Sequence, residues 1–145
     1  MKPISKLILF FTSVLLIVSS SCNKEGDHIP YVPVNFTIDL NDPEYSAFNA
    51  VGNSIIVYGG YNGIVIYRKS MDEFVALERT CTYQPSQKCD MKIDDSGLYI
   101  TCECCESSFL LLDGSPIDEE KPAILSLKSY TALYTQGNNT LKVFN

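Results

Sequence analysis

Cys102-Glu103-Cys104-Cys105-Glu106-Ser107-Ser108-Phe109, CECCESSF in one-letter code, puts three cysteines into four positions. The residues on either side are strand formers. Leu98-Tyr99-Ile100-Thr101 leads into Cys102, and SFLLLDG (108–114) leads away and stops at Asp113-Gly114. Upstream, EFVALER (73–79) reads as a strand that ends just before Cys81, and Cys89 lies further along the same connection. Cys81 and Cys102 thus each stand just past a strand end. Two strand-tip loops carrying Cys81, Cys89, Cys102, Cys104 and Cys105 are expected to converge at one end of the domain.

Away from the cysteines, helical periodicity is scarce. Val34-Asn35-Phe36-Thr37-Ile38-Asp39-Leu40 alternates apolar and polar residues, as a half-buried strand does. Asn41 to Gly52 reads as a loop with room for one short helical turn. SIIVYGGYNGIVIYR (54–68) is two β-branched and aromatic runs around Gly59-Gly60 and Asn62-Gly63, which predicts a hairpin. Those glycines could instead cradle a phosphate, but the helix such a loop needs does not follow. Asp94-Asp95-Ser96-Gly97 predicts a turn. LKSYTALYT, QGNN and TLKVFN (127–145) predict a closing hairpin. About eight or nine short strands make an all-β, layered antiparallel sandwich or small barrel, with the cysteine-bearing loops at one end. Asp94-Asp95 and Glu119-Glu120 read as solvated turn carboxylates. Tyr58, Tyr61 and Tyr67 read as packing residues before they read as a sugar-stacking surface. The one histidine, His28, precedes the β domain, so Ser-His-Asp and Cys-His arrangements are absent and no catalytic residue is assigned.

The N-terminus has the order of a secretory signal: Lys2 and Lys6, the apolar run LILFFTSVLLIV (7–18), then Ser19-Ser20-Ser21 before Cys22. The apolar run is short for a spanning helix, which needs roughly 20 residues. A cysteine directly after small residues resembles the lipobox of bacterial lipoproteins, although Ser19 stands where that pattern prefers leucine. The resemblance implies a lipid on Cys22, loss of residues 1–21, and attachment to the membrane through the anchor. It places the protein in the cell envelope as an outer-membrane lipoprotein. Residues 22–33 then form a polar tether, whose KEGD (24–27) resembles the export signals of Bacteroidetes surface lipoproteins. Residues 34–145 form one domain. Lys2 and Lys6 leave with the signal, so the mature chain is more acidic than the formal −6 of the whole sequence. That balance argues against a nucleic-acid partner. It leaves an unidentified envelope protein or ligand.

Cys81-Thr82-Tyr83, the CECCESSF run and Asp113-Gly114 together resemble the two cluster loops of Rieske iron–sulfur domains. The family pattern is Cys-x-His in the first loop. In the second it is Cys-x-Cys-His-Gly-Ser-x-Phe, with Asp-Gly a few residues on. KPAILSLKSY (121–130) resembles the family's Gly-Pro-Ala segment, and the resemblance covers roughly residues 34–145. It implies a layered β fold. It puts Cys81 and Cys102 on the cysteine-ligand positions, and Tyr83 and Cys105 on the two histidine positions. Glu106 and Lys121 stand where the pattern has glycine. Cys104 matches a cysteine that closes a disulfide between the loops in many members. The usual partner position is Ser86, and Cys89 lies three residues beyond it.

A Rieske centre takes two imidazoles on one iron, and neither loop has one. The resemblance therefore implies a degenerate member. Its geometry brings Cys89 near Cys104, and Cys81 near Cys102 and Cys105. Disulfides at Cys89–Cys104, and at Cys81 with Cys102 or Cys105, would then clamp the loops, with no cofactor. The favoured reading is a non-catalytic binding or accessory module of the envelope. The alternative is an electron-transfer or redox protein holding an all-cysteine [2Fe–2S] cluster, or a structural zinc, on Cys81, Cys89, Cys102 and Cys105. A copper or redox-thiol centre has no specific support in the sequence.

Overall fold

The protein is described by a computed structural model over residues 28–145. The expected signal segment 1–21, the lipidation site Cys22 and the tether as far as residue 27 lie outside the described residues. Nine strands run in chain order: β1 (Asn35–Asp39), β2 (Ser54–Val57), β3 (Ile64–Arg68), β4 (Phe74–Glu78), β5 (Met91–Ile93), β6 (Tyr99–Cys102), β7 (Ser108–Leu110), β8 (Ser129–Thr135) and β9 (Thr140–Phe144). The loop expected at 41–52 carries a 3-10 turn over Pro43–Asn49, capped by Asp42, whose side chain accepts from the Glu44 N–H. Among the described residues no helix is long and apolar enough to cross a membrane. The Val34–Leu40, 54–68 and 127–145 expectations appear as strands or hairpins. Two details differ. Cys102 is the last residue of β6 rather than the first beyond it, and the short β5 was not anticipated.

Six strands form one sheet in the order β1-β9-β8-β4-β3-β2, and β5-β6-β7 form a second. All the pairings are antiparallel. The large sheet curls. Ile38 of β1 and Leu141 and Val143 of β9 share one core with Ile64, Ile66, Phe74 and Ala76 of β3 and β4. The small sheet covers the opposite face of β3 and β4, where Val65, Tyr67 and Leu77 meet Met91, Ile100, Phe109 and Leu111. β3 is therefore buried on both faces, which is why Ile64-Val65-Ile66-Tyr67 reads as a continuous apolar run instead of alternating. Tyr67 sits inside this core, so it is not available to stack on a ligand.

One charged residue organises the interior. Glu78 ends β4 on the same face as Phe74 and Ala76 and is fully buried. Its Oε2 accepts from the Tyr61 N–H at 2.7 Å and from the Tyr130 hydroxyl at 2.6 Å. Its Oε1 accepts from the Asn62 N–H at 2.9 Å and from the Thr80 hydroxyl at 3.0 Å. Four donors satisfy a carboxylate that would otherwise be too costly to bury. Gly60 serves this contact. A Cβ on Gly60 would collide with Glu78 Oε2 and stand 2.7 Å from the Tyr130 oxygen. The amides a phosphate would need from this loop are thus already occupied by Glu78.

The chain enters the domain against its own C-terminus. Asn145 Oδ1 accepts from the Val34 N–H at 2.7 Å, Asn145 Nδ2 donates to the Val32 carbonyl at 2.9 Å, and the Lys128 ammonium lies over the Tyr31 ring.

Replacing Glu78 with alanine leaves two amides and two hydroxyls without their acceptor. It should cost at least about 3 kcal/mol, read by urea unfolding. Y130F removes one of the four donors and should cost about 1.5–3 kcal/mol. Burial, then the hydrogen bond and charge of Glu78, push the Tyr130 phenol above its ordinary value. A raised pKa means that the folded chain holds the proton more tightly than the unfolded chain. The contribution is complete below pH about 10 and is lost as pH rises beyond it. The wild type should therefore lose more stability than Y130F between pH 8 and pH 11.

Candidate functional site: a sulfur-lined pocket at the loop tips

The register of the small sheet builds the site. Met91 pairs with Cys102, Lys92 with Thr101 and Ile93 with Ile100. The ladder continues one step into the loops, because the Glu103 N–H donates to the Asp90 carbonyl at 3.0 Å. One step further, Cys89 faces Cys104, and the two form a disulfide with Cα atoms 5.9 Å apart. The bridge ties the β4–β5 connection to the β6–β7 tip.

The expected second crosslink is not made. Cys81, Cys102 and Cys105 are all free thiols. Cys81 and Cys105 approach to 3.4 Å between sulfurs without a bond. The sulfurs of Cys81, Cys102 and Cys105 all lie within 4.8 Å of one another, and so do those of Cys89, Cys102 and Cys104. Cys102 thus stands between the thiol group and the disulfide. The four-thiolate set Cys81, Cys89, Cys102 and Cys105 is not assembled, because the strand register commits Cys89 to Cys104. Cys81 and Cys102 are 3% and 1% exposed, while Cys105 is half-buried. A cavity of about 70 Å³ adjoins the sulfurs and is lined also by Tyr83, Gln84 and Gln87.

The thiols differ in character. Burial pushes the Cys81 thiol up to about 12; the neighbouring thiols Cys105 and Cys102 add to this, against a hydrogen bond from the Tyr83 amide. Burial also works against the Cys105 thiolate. There the hydrogen bonds from the Ser107 hydroxyl and amide, and from Cys81 and Cys102, outweigh it and hold the group below its ordinary value. Ser107 is buried. Its hydroxyl oxygen lies 3.2 Å from Cys105 Sγ and accepts from the Ala123 N–H at 3.2 Å.

A third segment braces both loops. The Thr82 hydroxyl donates to the Leu125 carbonyl at 2.7 Å, and Ala123 holds Ser107. Lys121 Nζ pairs with Glu106 Oε2 at 2.7 Å, which holds the Glu106 carboxyl below its usual range. These last two residues occupy the positions where the family pattern has glycine, so the two departures are each other's partners. Glu106 adopts φ +57°, the left-handed conformation that glycine takes without strain. Tyr83 on the first loop and Ile124 and Leu125 on the bracing segment are exposed apolar residues.

Elsewhere the sequence expectations divide. Asp94 accepts from the Ser96 and Tyr99 amides, as a turn residue does. Tyr58 is fully exposed, and the Lys88 ammonium lies 4.2 Å over the Tyr61 ring. Sequence reasoning missed Glu78 and Ser107. For Glu78 the signal was present, because Phe74, Ala76 and Glu78 share the two-residue period of a strand face.

No family model matches the chain, and no curated protein matches it. Solved structures do. The Rieske protein PetC3 of the cyanobacterial plasma membrane, from Synechocystis, superposes with a TM-score of 0.51 at 20% identity, over 77% of this chain and 98% of that one. The fold is Rieske-like. The ferredoxin of carbazole 1,9a-dioxygenase from Nocardioides aromaticivorans gives a TM-score of 0.50 at 15% identity, over 78% of this chain and 97% of that one. A Rieske-like fold implies a histidine-ligated [2Fe–2S] centre, and the donor set here does not fit one. Tyr83 offers a half-exposed phenol and Cys105 a thiol at the two imidazole positions. His28 precedes β1.

Replacing both Cys89 and Cys104 with serine opens a loop of 15 residues. It should lower stability by about 3 kcal/mol in urea titrations. E106G should raise the melting temperature by a few degrees, because glycine relieves the positive φ and the exposed ion pair it removes is worth little.

Proposed function

We propose that this chain is a lipid-anchored, non-catalytic module of the cell envelope. On this reading it keeps the Rieske-like fold, and a disulfide staple has taken over from the histidine-ligated cluster as the clamp on the loop tips. The observation that carries it is the Cys89–Cys104 bridge between two loops that contain no imidazole. The bridge ties the loops covalently, as it does in many cluster-bearing members of the family, while the imidazoles that a Rieske centre needs are missing from both loops. Disulfides persist in oxidising compartments, which agrees with export through the signal-like N-terminus.

The module binds through its cysteine end. Tyr83 lines the pocket and is exposed, and Ile124 and Leu125 are exposed on the segment that Thr82 ties to the first loop. Its partner is an envelope protein or ligand met at that face.

Two measurements test this. The mature chain should fractionate with membranes and carry a diacylglycerol thioether on Cys22, and C22S should release it to the soluble fraction. Purified native protein should be colourless and lack a reducible iron–sulfur signal in electron paramagnetic resonance. A brown preparation with a stoichiometric paramagnetic centre on reduction would refute the reading and favour the electron carrier.

A further inference from the structure

We propose that Cys81, Cys102 and Cys105 bind one thiophilic d10 metal ion, Zn²⁺ or Cu⁺, as a three-thiolate site. The proposal rests on the reading above that the histidine-ligated cluster is gone, and it gives the same end of the fold a ligand.

Geometry is the first argument. The three sulfurs already lie within 4.8 Å of one another, those of Cys81 and Cys105 at 3.4 Å. Three thiolates about 2.3 Å from one ion stand roughly 3.8–4.0 Å apart, for tetrahedral or trigonal arrangements. The 3.4 Å pair lies about half an ångström inside that distance and the 4.8 Å limit lies less than about an ångström outside it, so shifts of less than about an ångström close the site.

Support is the second. Cys81 follows β4, Cys102 ends β6, and Cys105 lies in the tip between β6 and β7. The disulfide fixes the two loops against each other. Thr82 and Ser107 tie them to the segment at 123–125. A donor set held this way loses little freedom on binding.

Donor chemistry is the third. The group contains sulfur and no imidazole or carboxylate. An all-thiolate set selects soft and borderline ions such as Cu⁺ and Zn²⁺ over Mg²⁺ or Ca²⁺. Binding releases three protons, one from each thiol, and forms three metal–sulfur bonds with no change of oxidation state. Cu⁺ is satisfied by three thiolates. Zn²⁺ takes a fourth ligand, for which the cavity of about 70 Å³ beside the sulfurs has room for water.

Oxidation is the fourth. An odd number of thiols cannot all pair. In surroundings that oxidise Cys89 and Cys104, bonding of Cys81 to Cys105 would strand Cys102. A bound ion keeps all three reduced.

The test uses the mature full-length chain in detergent, with its disulfide intact. Zn²⁺ is titrated in one arm and Cu⁺ in the other, the latter anaerobically against a chelator competitor. Both are read by native mass spectrometry and by thiolate-to-metal charge-transfer absorption. One ion per chain is expected in at least one arm, and the arms decide which. C105S alters the most exposed ligand and should weaken binding by more than about 100-fold, since even outer-shell partners are worth 10–100-fold. Circular dichroism checks its fold. The double serine variant at Cys89 and Cys104 should still bind one ion. A colourless chain with three reactive thiols that binds neither ion overturns the site and leaves the stapled module intact. A native Cys81–Cys105 bridge does the same. An iron-loaded, coloured chain overturns both.

Discussion

The antiparallel register between β5 and β6 is the constraint on which the sulfur chemistry depends. Once Met91 faces Cys102, the ladder carries Cys89 opposite Cys104 two residues further on. A slip of one residue would turn every side chain of the short β5 to the other face. Met91 would then leave the core, and Cys89 would lose its partner. The burial of Met91, Ile100 and Phe109 against Val65 and Leu77 therefore selects the covalent pairing. Packing chooses which cysteines bond, and the three left over, Cys81, Cys102 and Cys105, are those that the strand ends bring together beside the bridge.

A second constraint acts at the junction of the two sheets. Glu78 closes β4 two residues before Thr80 and three before Cys81. Its carboxylate anchors the β2–β3 connection, the Thr80 hydroxyl and Tyr130 at once. The first cysteine thus leaves a strand whose end is pinned by charge-assisted hydrogen bonds, not one free to fray. The same interaction explains Gly60, which admits a buried carboxylate rather than a phosphate.

Much of the fold was legible because strand signals are local. Val34–Leu40 alternates, and the runs around Gly59-Gly60 and Gly137 have the composition of hairpins. β5 was not legible. Met91-Lys92-Ile93 is three residues long between Asp90 and Asp94, too short for a period to register. That loss mattered, since without β5 the Cys89–Cys104 pair follows from resemblance and not from register. The loop tips were placed correctly at one end, but a second bridge was expected where Cys81 and Cys105 remain thiols. Whether two neighbouring sulfurs bond depends on their geometry and surroundings in space, which spacing along the chain does not encode. The mutual pairing of Glu106 and Lys121 was hidden for the same reason. Each looked like an isolated departure from a glycine pattern until the fold placed one against the other.

The way the N-terminal segment meets the domain sets which end the proposed lipid anchor would draw toward a bilayer. Asn35 is level with Phe144 and Thr131, and β8 begins beside the end of β4, from which the chain runs on to Cys81. The leash therefore joins the body at its sulfur-bearing pole. With the proposed anchor at Cys22, the nine residues before Tyr31 reach at most roughly 30 Å when fully drawn out. A domain tied at that pole would hang with its thiols toward the headgroups, confined to a thin layer of solvent above the lipid. Whatever meets those sulfurs would have to arrive along the membrane surface.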